Sequence, residues 1–332
     1  MHLPSGRLTH RVFLSPLAAL TVASAVLATV VGSAAAAEPA ARPPRQFAPG
    51  VLTTIPPDLE PAETVSTHDI VEVRSNPNLK WTPEYLAESR TLYGMSQAVE
   101  FRRDVWCLEF SFKPLRMIYV DLPQPSGKMQ RKLIWYLVYR VKNTGQVLKP
   151  VEQPDGTVKA EPGKGGPIEF LPQFVLQSQD RSDTGQPVGK QYLDRVIPVA
   201  VEQIRQRETP GRELLNSVQI SEHPIPVSDG GIDRSVWGVA TWEDVDPRID
   251  FLSIYVGGLT NAYRWEDPAG TYHVGDPPGK GRQFTRKTLQ LNFWRPGDEF
   301  SEHESEIRYG VPNGKAYLYG VPEGVAYRWV YR

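Results

Sequence analysis

The chain has 332 residues, among them 31 Pro, 27 Gly and a single Cys, with 37 Lys and Arg against 38 Asp and Glu. Hydrophobic residues at 40% and aromatics at 10% supply a core and exclude a disordered or collagen-like chain. The density of Pro and Gly argues against long helices, and a net charge of −1 leaves no electrostatic footprint for nucleic acid.

Arg7, His10 and Arg11 precede an uncharged stretch, Val12 to Ala37, that is rich in Leu, Ala and Val and closes on Ala34-Ala35-Ala36-Ala37. A basic start, an apolar centre and small residues at the A-x-A position predict a secretory signal peptide over 1–37. The alternative is an uncleaved anchor in the inner membrane, since about 20 apolar residues span a bilayer. Ser15, Pro16, Thr21, Ser24 and Thr29 dilute the run and favour cleavage. The expected location is periplasmic or extracellular. One Cys cannot form a disulfide within the chain, so an exported form must rest on its core.

Residues 38–80 open with closely spaced prolines and no periodicity, which predicts an extended spacer or a surface wrap. Thr82, Pro83 and Glu84 fit the cap and first turn of a short helix ending near Arg90 or Tyr93. The signal then changes to period two. Trp106, Leu108, Phe110 and Phe112 share one face of a predicted strand over Val105 to Phe112, with Cys107, Glu109 and Ser111 on the other. Leu115 to Asp121 reads as another strand, and Lys132 to Lys142 is apolar on both faces, as in a central strand. Pro154-Asp155-Gly156 marks a hairpin or loop within a loop-rich insertion near 146–215, which also holds a predicted strand over Ile168 to Gln177 and a short helix from Pro198 to Pro210. Further strands are predicted at Trp237 to Trp242, Phe251 to Val256, Leu289 to Trp294 and Tyr327 to Tyr331.

Near the end, Tyr309-Gly310-Val311-Pro312-Asn313-Gly314-Lys315-Ala316-Tyr317 is repeated as Tyr319-Gly320-Val321-Pro322-Glu323-Gly324-Val325-Ala326-Tyr327. Each copy is expected to make a turn leading into a short strand. Many strands with Gly and Pro punctuation and one or two short helices predict a mainly β protein, an antiparallel β-sandwich over 81–332 of immunoglobulin-like or related type.

The block Phe101-Arg102-Arg103-Asp104-Val105-Trp106-Cys107-Leu108-Glu109-Phe110, followed by Phe112-Lys113-Pro114-Leu115-Arg116-Met117-Ile118, Pro125-Ser126-Gly127-Lys128 and the run from Ile134 to Gly145, resembles uncharacterised secreted proteins of planctomycete-type bacteria. The strand ending in Asn143-Thr144-Gly145 also resembles the edge of bacterial immunoglobulin-like surface domains. Both resemblances imply location and fold, and neither supplies a catalytic residue.

The search for chemistry yields two candidate clusters. Residues 98–145 carry a basic excess interleaved with aromatics, so Arg102, Arg103, Arg116, Trp135, Tyr139 and Arg140 are candidate binding residues for an envelope protein or polysaccharide, through bidentate Arg contacts and aromatic stacking. The same residues are more simply read as sheet core with a solvated outer face. Between Asp298 and Glu306, the carboxylates Glu302, Glu304 and Glu306 with His303 could recruit a divalent cation such as calcium, because hard cations want several carboxylate oxygens and His adds a nitrogen ligand. A solvated acidic edge is the alternative. Asp244, Asp246 and Asp250 hint at calcium but lack the Gly and Glu of an EF-hand loop. Cys107 has no base placed beside it, and no phosphate loop or nucleophile elbow occurs. The expected function is a non-catalytic binding or structural role in the cell envelope without a cofactor. The alternative is a metal-assisted envelope hydrolase built on the His303 cluster.

Overall fold

Alternation of apolar and polar residues decides the architecture. The computed structural model describes residues 51–67, 100–229, 231–271, 273, 280–296 and 306–332. In one sheet Glu109–Phe112 lies between Thr53–Ile55 and Met129–Lys142, and the long third strand also pairs with Arg116–Pro123 and Val236–Trp242. A second sheet runs in the order Gln191–Leu193, Gln173–Ser178, Phe251–Gly257, Gln283–Trp294, Tyr263–Glu266, and Gln283–Trp294 also carries Arg308–Tyr309 and Tyr327–Tyr331. Every ladder in both sheets is antiparallel.

The two sheets bury their facing sides in one core. Phe110, Phe112, Trp135, Leu137 and Tyr139 come from the first sheet, and Phe174, Leu176, Leu252, Ile254, Leu289, Leu291 and Phe293 from the second. This is the mainly β antiparallel sandwich that the strand pattern predicts, and the described residues fall in one compact unit.

The double-sided apolar character of Met129–Lys142 has a direct cause. Trp135, Leu137, Tyr139 and Val141 enter the shared core, whereas Ile134, Tyr136 and Val138 enter a second cluster with Ile197, Ala200 and Ile204. That cluster is covered by helix α1, Pro198–Glu208, whose buried Ala200 and Ile204 sit one turn apart. Pro198 starts α1 where a missing N–H costs nothing, and Pro210 follows its end. A one-turn helix, α2, spans Ser217–Ser221, and its cap residue Asn216 accepts from the Val218 and Gln219 N–H groups. The 146–215 segment, expected to be loop-rich, contains the hairpin Gln146–Glu152 with Val158–Lys164 as well as strands of the second sheet.

Two expectations are corrected. The proline-rich segment is not a spacer over 51–67: Thr53–Ile55 is an edge strand, Ile55 is buried, and Val65–Thr67 pairs with Glu100–Arg102. Pro56, Pro57 and Pro61 flank these short strands rather than interrupt them, so the backbone N–H groups of Thr53–Ile55 stay free to pair. The duplication also divides. Its first copy turns into a short helix, α3, Ala316–Tyr319, closed by Gly320 at φ 65°, and only the second continues into the strand Tyr327–Tyr331. The second copy takes the edge beside Lys287–Leu291, and the first packs across the outer face of the same sheet, where the Tyr319 hydroxyl donates to the Phe293 carbonyl at 2.7 Å. The signal segment 1–37, the rest of the spacer and the helix expected at 82–93 lie outside the described residues.

Candidate functional site: a groove on the outer face of the second sheet

The six binding candidates do not assemble. Trp135 and Tyr139 are fully buried in the core, which corrects their expected role, because the strand that carries them is covered on both faces. Arg102 pairs with Glu152 at 3.0 Å and Arg116 with Glu208 at 2.7 Å. Arg140 lies between Asp233 at 3.4 Å and Glu109 at 3.8 Å. Arg103 donates to the carbonyls of Glu63 and Tyr263 and stacks on the Tyr263 ring at 3.8 Å. The basic excess of 98–145 is thus answered mostly from within the molecule.

Buried charges elsewhere are answered as well. Glu208, at the end of α1, takes Arg116 and the Tyr136 hydroxyl on one oxygen, with Lys113 beside the other at 3.6 Å. Lys287 has a fully enclosed side chain and meets Glu63 at 2.7 Å and Asp58 at 3.0 Å. The Tyr331 hydroxyl donates to the same Glu63 oxygen. These groups fasten segment 51–67 onto the second sheet. Cys107 is buried beside them, its sulfur accepting from the Asp58 N–H, and burial pushes its thiol up to about 12, which leaves no thiolate at neutral pH.

Of the metal candidates, Glu302, His303 and Glu304 lie outside the described residues, while Glu306 pairs with Arg308 at 3.1 Å. Among the described residues no group of three or more His, Cys, Asp and Glu converges. Asp244 faces Lys132, and Asp246 chelates the Arg248 guanidinium, which holds the Asp246 carboxyl down at about 2.

The feature with open chemistry is a groove of about 440 Å³ on the outer side of the second sheet. Strand alternation builds its floor. With Phe174 and Leu176 turned into the core, Gln173 and Val175 face outward, and antiparallel register sets Val175 between Leu193 and Tyr255. Gly257, Thr288 and Arg286 extend the floor. One wall is segment 169–171. It passes close over the sheet because Gly258, at φ 86°, presents no Cβ to the Leu171 carbonyl. Trp106 joins that wall, and its strand is fixed by the N–H donating to Asn261 at 3.0 Å and the carbonyl accepting from Thr260.

On the opposite side Gln191 and Leu193 sit on a short strand pinned by the following residue: Asp194 accepts the Thr241 N–H of the first sheet at 2.8 Å. Leu171 and Leu193 are 63% and 69% exposed, unusual for leucines on either side of a groove. Among the described residues the side chains of Glu169, Gln173 and Arg286 have no hydrogen-bond or ion-pair partner, and the Arg332 guanidinium has only the Tyr255 ring, at 3.9 Å. Sequence reasoning noted Trp106 of this set and missed the rest. The available signal was Val175 and Tyr255 on what alternation makes a solvent face, close to Leu171 and Leu193.

Comparison of the chain with protein-family models, curated proteins and solved structures finds no match. Among the described residues no helix is long and apolar enough to cross a membrane.

Proposed function

We propose that the chain is an exported, non-catalytic binding protein of the cell envelope that holds an extended envelope polymer in the groove on its second sheet. The observation that carries the reading is the groove itself, where exposed leucines and a tyrosine lie among polar side chains that the fold leaves unpartnered. The buried charges Glu208, Lys113, Lys287 and Glu63 are paired within the fold, whereas the groove's side chains are exposed and available to a ligand. The basic start and apolar run of residues 7–37 support export.

The test is co-sedimentation of the purified protein with the insoluble polysaccharide fraction of the native envelope, alongside fractionation of the cell for location. Retention of the wild type, with at least about tenfold weaker retention of a Leu193→Asp, Tyr255→Ala double variant, is the expected result, since hot-spot truncations cost about 2 kcal/mol or more. Arg102→Gln, remote from the groove, is expected to bind like the wild type. Equal retention of wild type and double variant, or retention of neither, overturns the reading.

A further inference from the structure

Arg286 and Arg332 form a cross-strand pair: the Arg286 N–H donates to the Arg332 carbonyl at 2.9 Å, and the Arg332 N–H returns to the Arg286 carbonyl at 3.3 Å. Both side chains line the groove and both residues are exposed. Like charges directly opposite each other on a sheet repel. Neighbouring arginines are each given an acceptor: Arg264 has Glu60, Arg282 has Asp267, Arg308 has Glu306, and Arg328 donates to the Gln290 side chain and the Gly320 carbonyl. Among the described residues the Arg286 and Arg332 pair has none. Stability alone does not favour this placement. It suits an anion that arrives from outside, and stacking on the Tyr255 ring already fixes the plane of the Arg332 guanidinium while leaving its N–H edge free.

Resting on the binding role proposed above, we propose that the groove takes an acidic polysaccharide, with a sugar carboxylate seated between Arg286 and Arg332. Apolar ring faces then lie against Val175 and Leu193, and hydroxyl groups meet the amides of Gln173 and Gln191 and the carboxylate of Glu169. A polypeptide is disfavoured by where the groove lies. Its floor is side chains on the face of a sheet, and main-chain hydrogen bonds to an extended peptide are available only along the edge strand Gln191–Leu193, from which two strands separate the one that carries Arg286, so a peptide paired there would leave the two arginines uncovered. Planar amide, guanidinium and carboxylate groups beside apolar surface are the donors, acceptors and contact area that a sugar acid needs.

The experiment is affinity electrophoresis of the full chain through gels containing polygalacturonate, and through gels containing its fully methyl-esterified form, which has the same backbone without the charge. The expected result is retardation by polygalacturonate alone, weakened by added salt, and at least about tenfold weaker for either Arg286→Gln or Arg332→Gln. Both substitutions are at exposed side chains, so an unchanged melting temperature verifies the fold. Equal retardation in the two gels, variants that bind like the wild type, or equal competition by free polyglutamate each overturns the inference. If polygalacturonate fails while the envelope polysaccharide fraction still retains the protein through Leu193 and Tyr255, the groove reading stands and the acidic ligand falls. If both fail, both fall.

Discussion

At the scale of single residues, buried charge settles more than surface charge does. Burial alone would lower the pKa of the Lys287 ammonium, yet hydrogen bonds to Glu63 and Asp58 outweigh it and hold the value above the ordinary 10.5. Lys287→Met strands Glu63 without a cation in the interior, and is expected to cost about 3–5 kcal/mol in urea denaturation at pH 7. The sign of the pH dependence follows. A raised Lys pKa contributes stability that is complete below the unfolded value and fades as pH rises through the folded one, so the wild type loses this increment in strongly alkaline solution and the Met variant has none to lose. Cys107 was legible as a packing residue from its place in the strand alternation, and it is buried. The partners of Arg116 and Lys287 were not legible: Glu208 and Glu63 are 92 and 224 positions away, and only tertiary register selects them.

Elements were read from period and punctuation, and they fail where those signals are local. Lys132 to Lys142 was recognisable as a covered strand from its two apolar faces, and α1 supplies the second cover. The two copies of the terminal repeat are nearly alike in sequence but unlike in structure, because one sheet edge and one sheet face were there to receive them. Pairing between strands imposes choices of the same kind. Gly238 lies opposite Tyr139, and a Cβ on it would overlap the Tyr139 ring, so the glycine is what allows a tyrosine in the core at that register. Gly238→Ala is expected to destabilise by about 1–3 kcal/mol, as overpacking does. Combining it with Tyr139→Leu, which removes the clash, is expected to give less than the sum of the two costs, and a double-mutant cycle in urea checks this.

For the whole molecule, the sandwich was legible because many short amphipathic strands have few other ways to bury their apolar sides. The groove was not, since it depends on which strands neighbour each other and on Gly258 letting segment 169–171 pass over the sheet. The inclusion of segment 51–67 in the fold belongs to this scale too. Ile55→Ala, in a stretch that reads as a linker, is expected to cost about 2–5 kcal/mol, with fluorescence and circular dichroism reporting one shared transition at a lower midpoint. A truly peripheral segment would leave the midpoint where it was.

That same segment sets a timetable. Glu63 receives its last partner from Tyr331, 268 positions later, so the turn Pro61–Thr64 is completed by the last described strand. Contacts of such sequence separation form slowly, since long loops must close before they are rewarded. Synthesis delivers residues 51–67 before Lys287 and Tyr331, so the charge of Glu63 waits for both before it is covered. Closure of this contact is therefore a late event in folding, and until it forms Glu63 lacks the partners that make its burial tolerable.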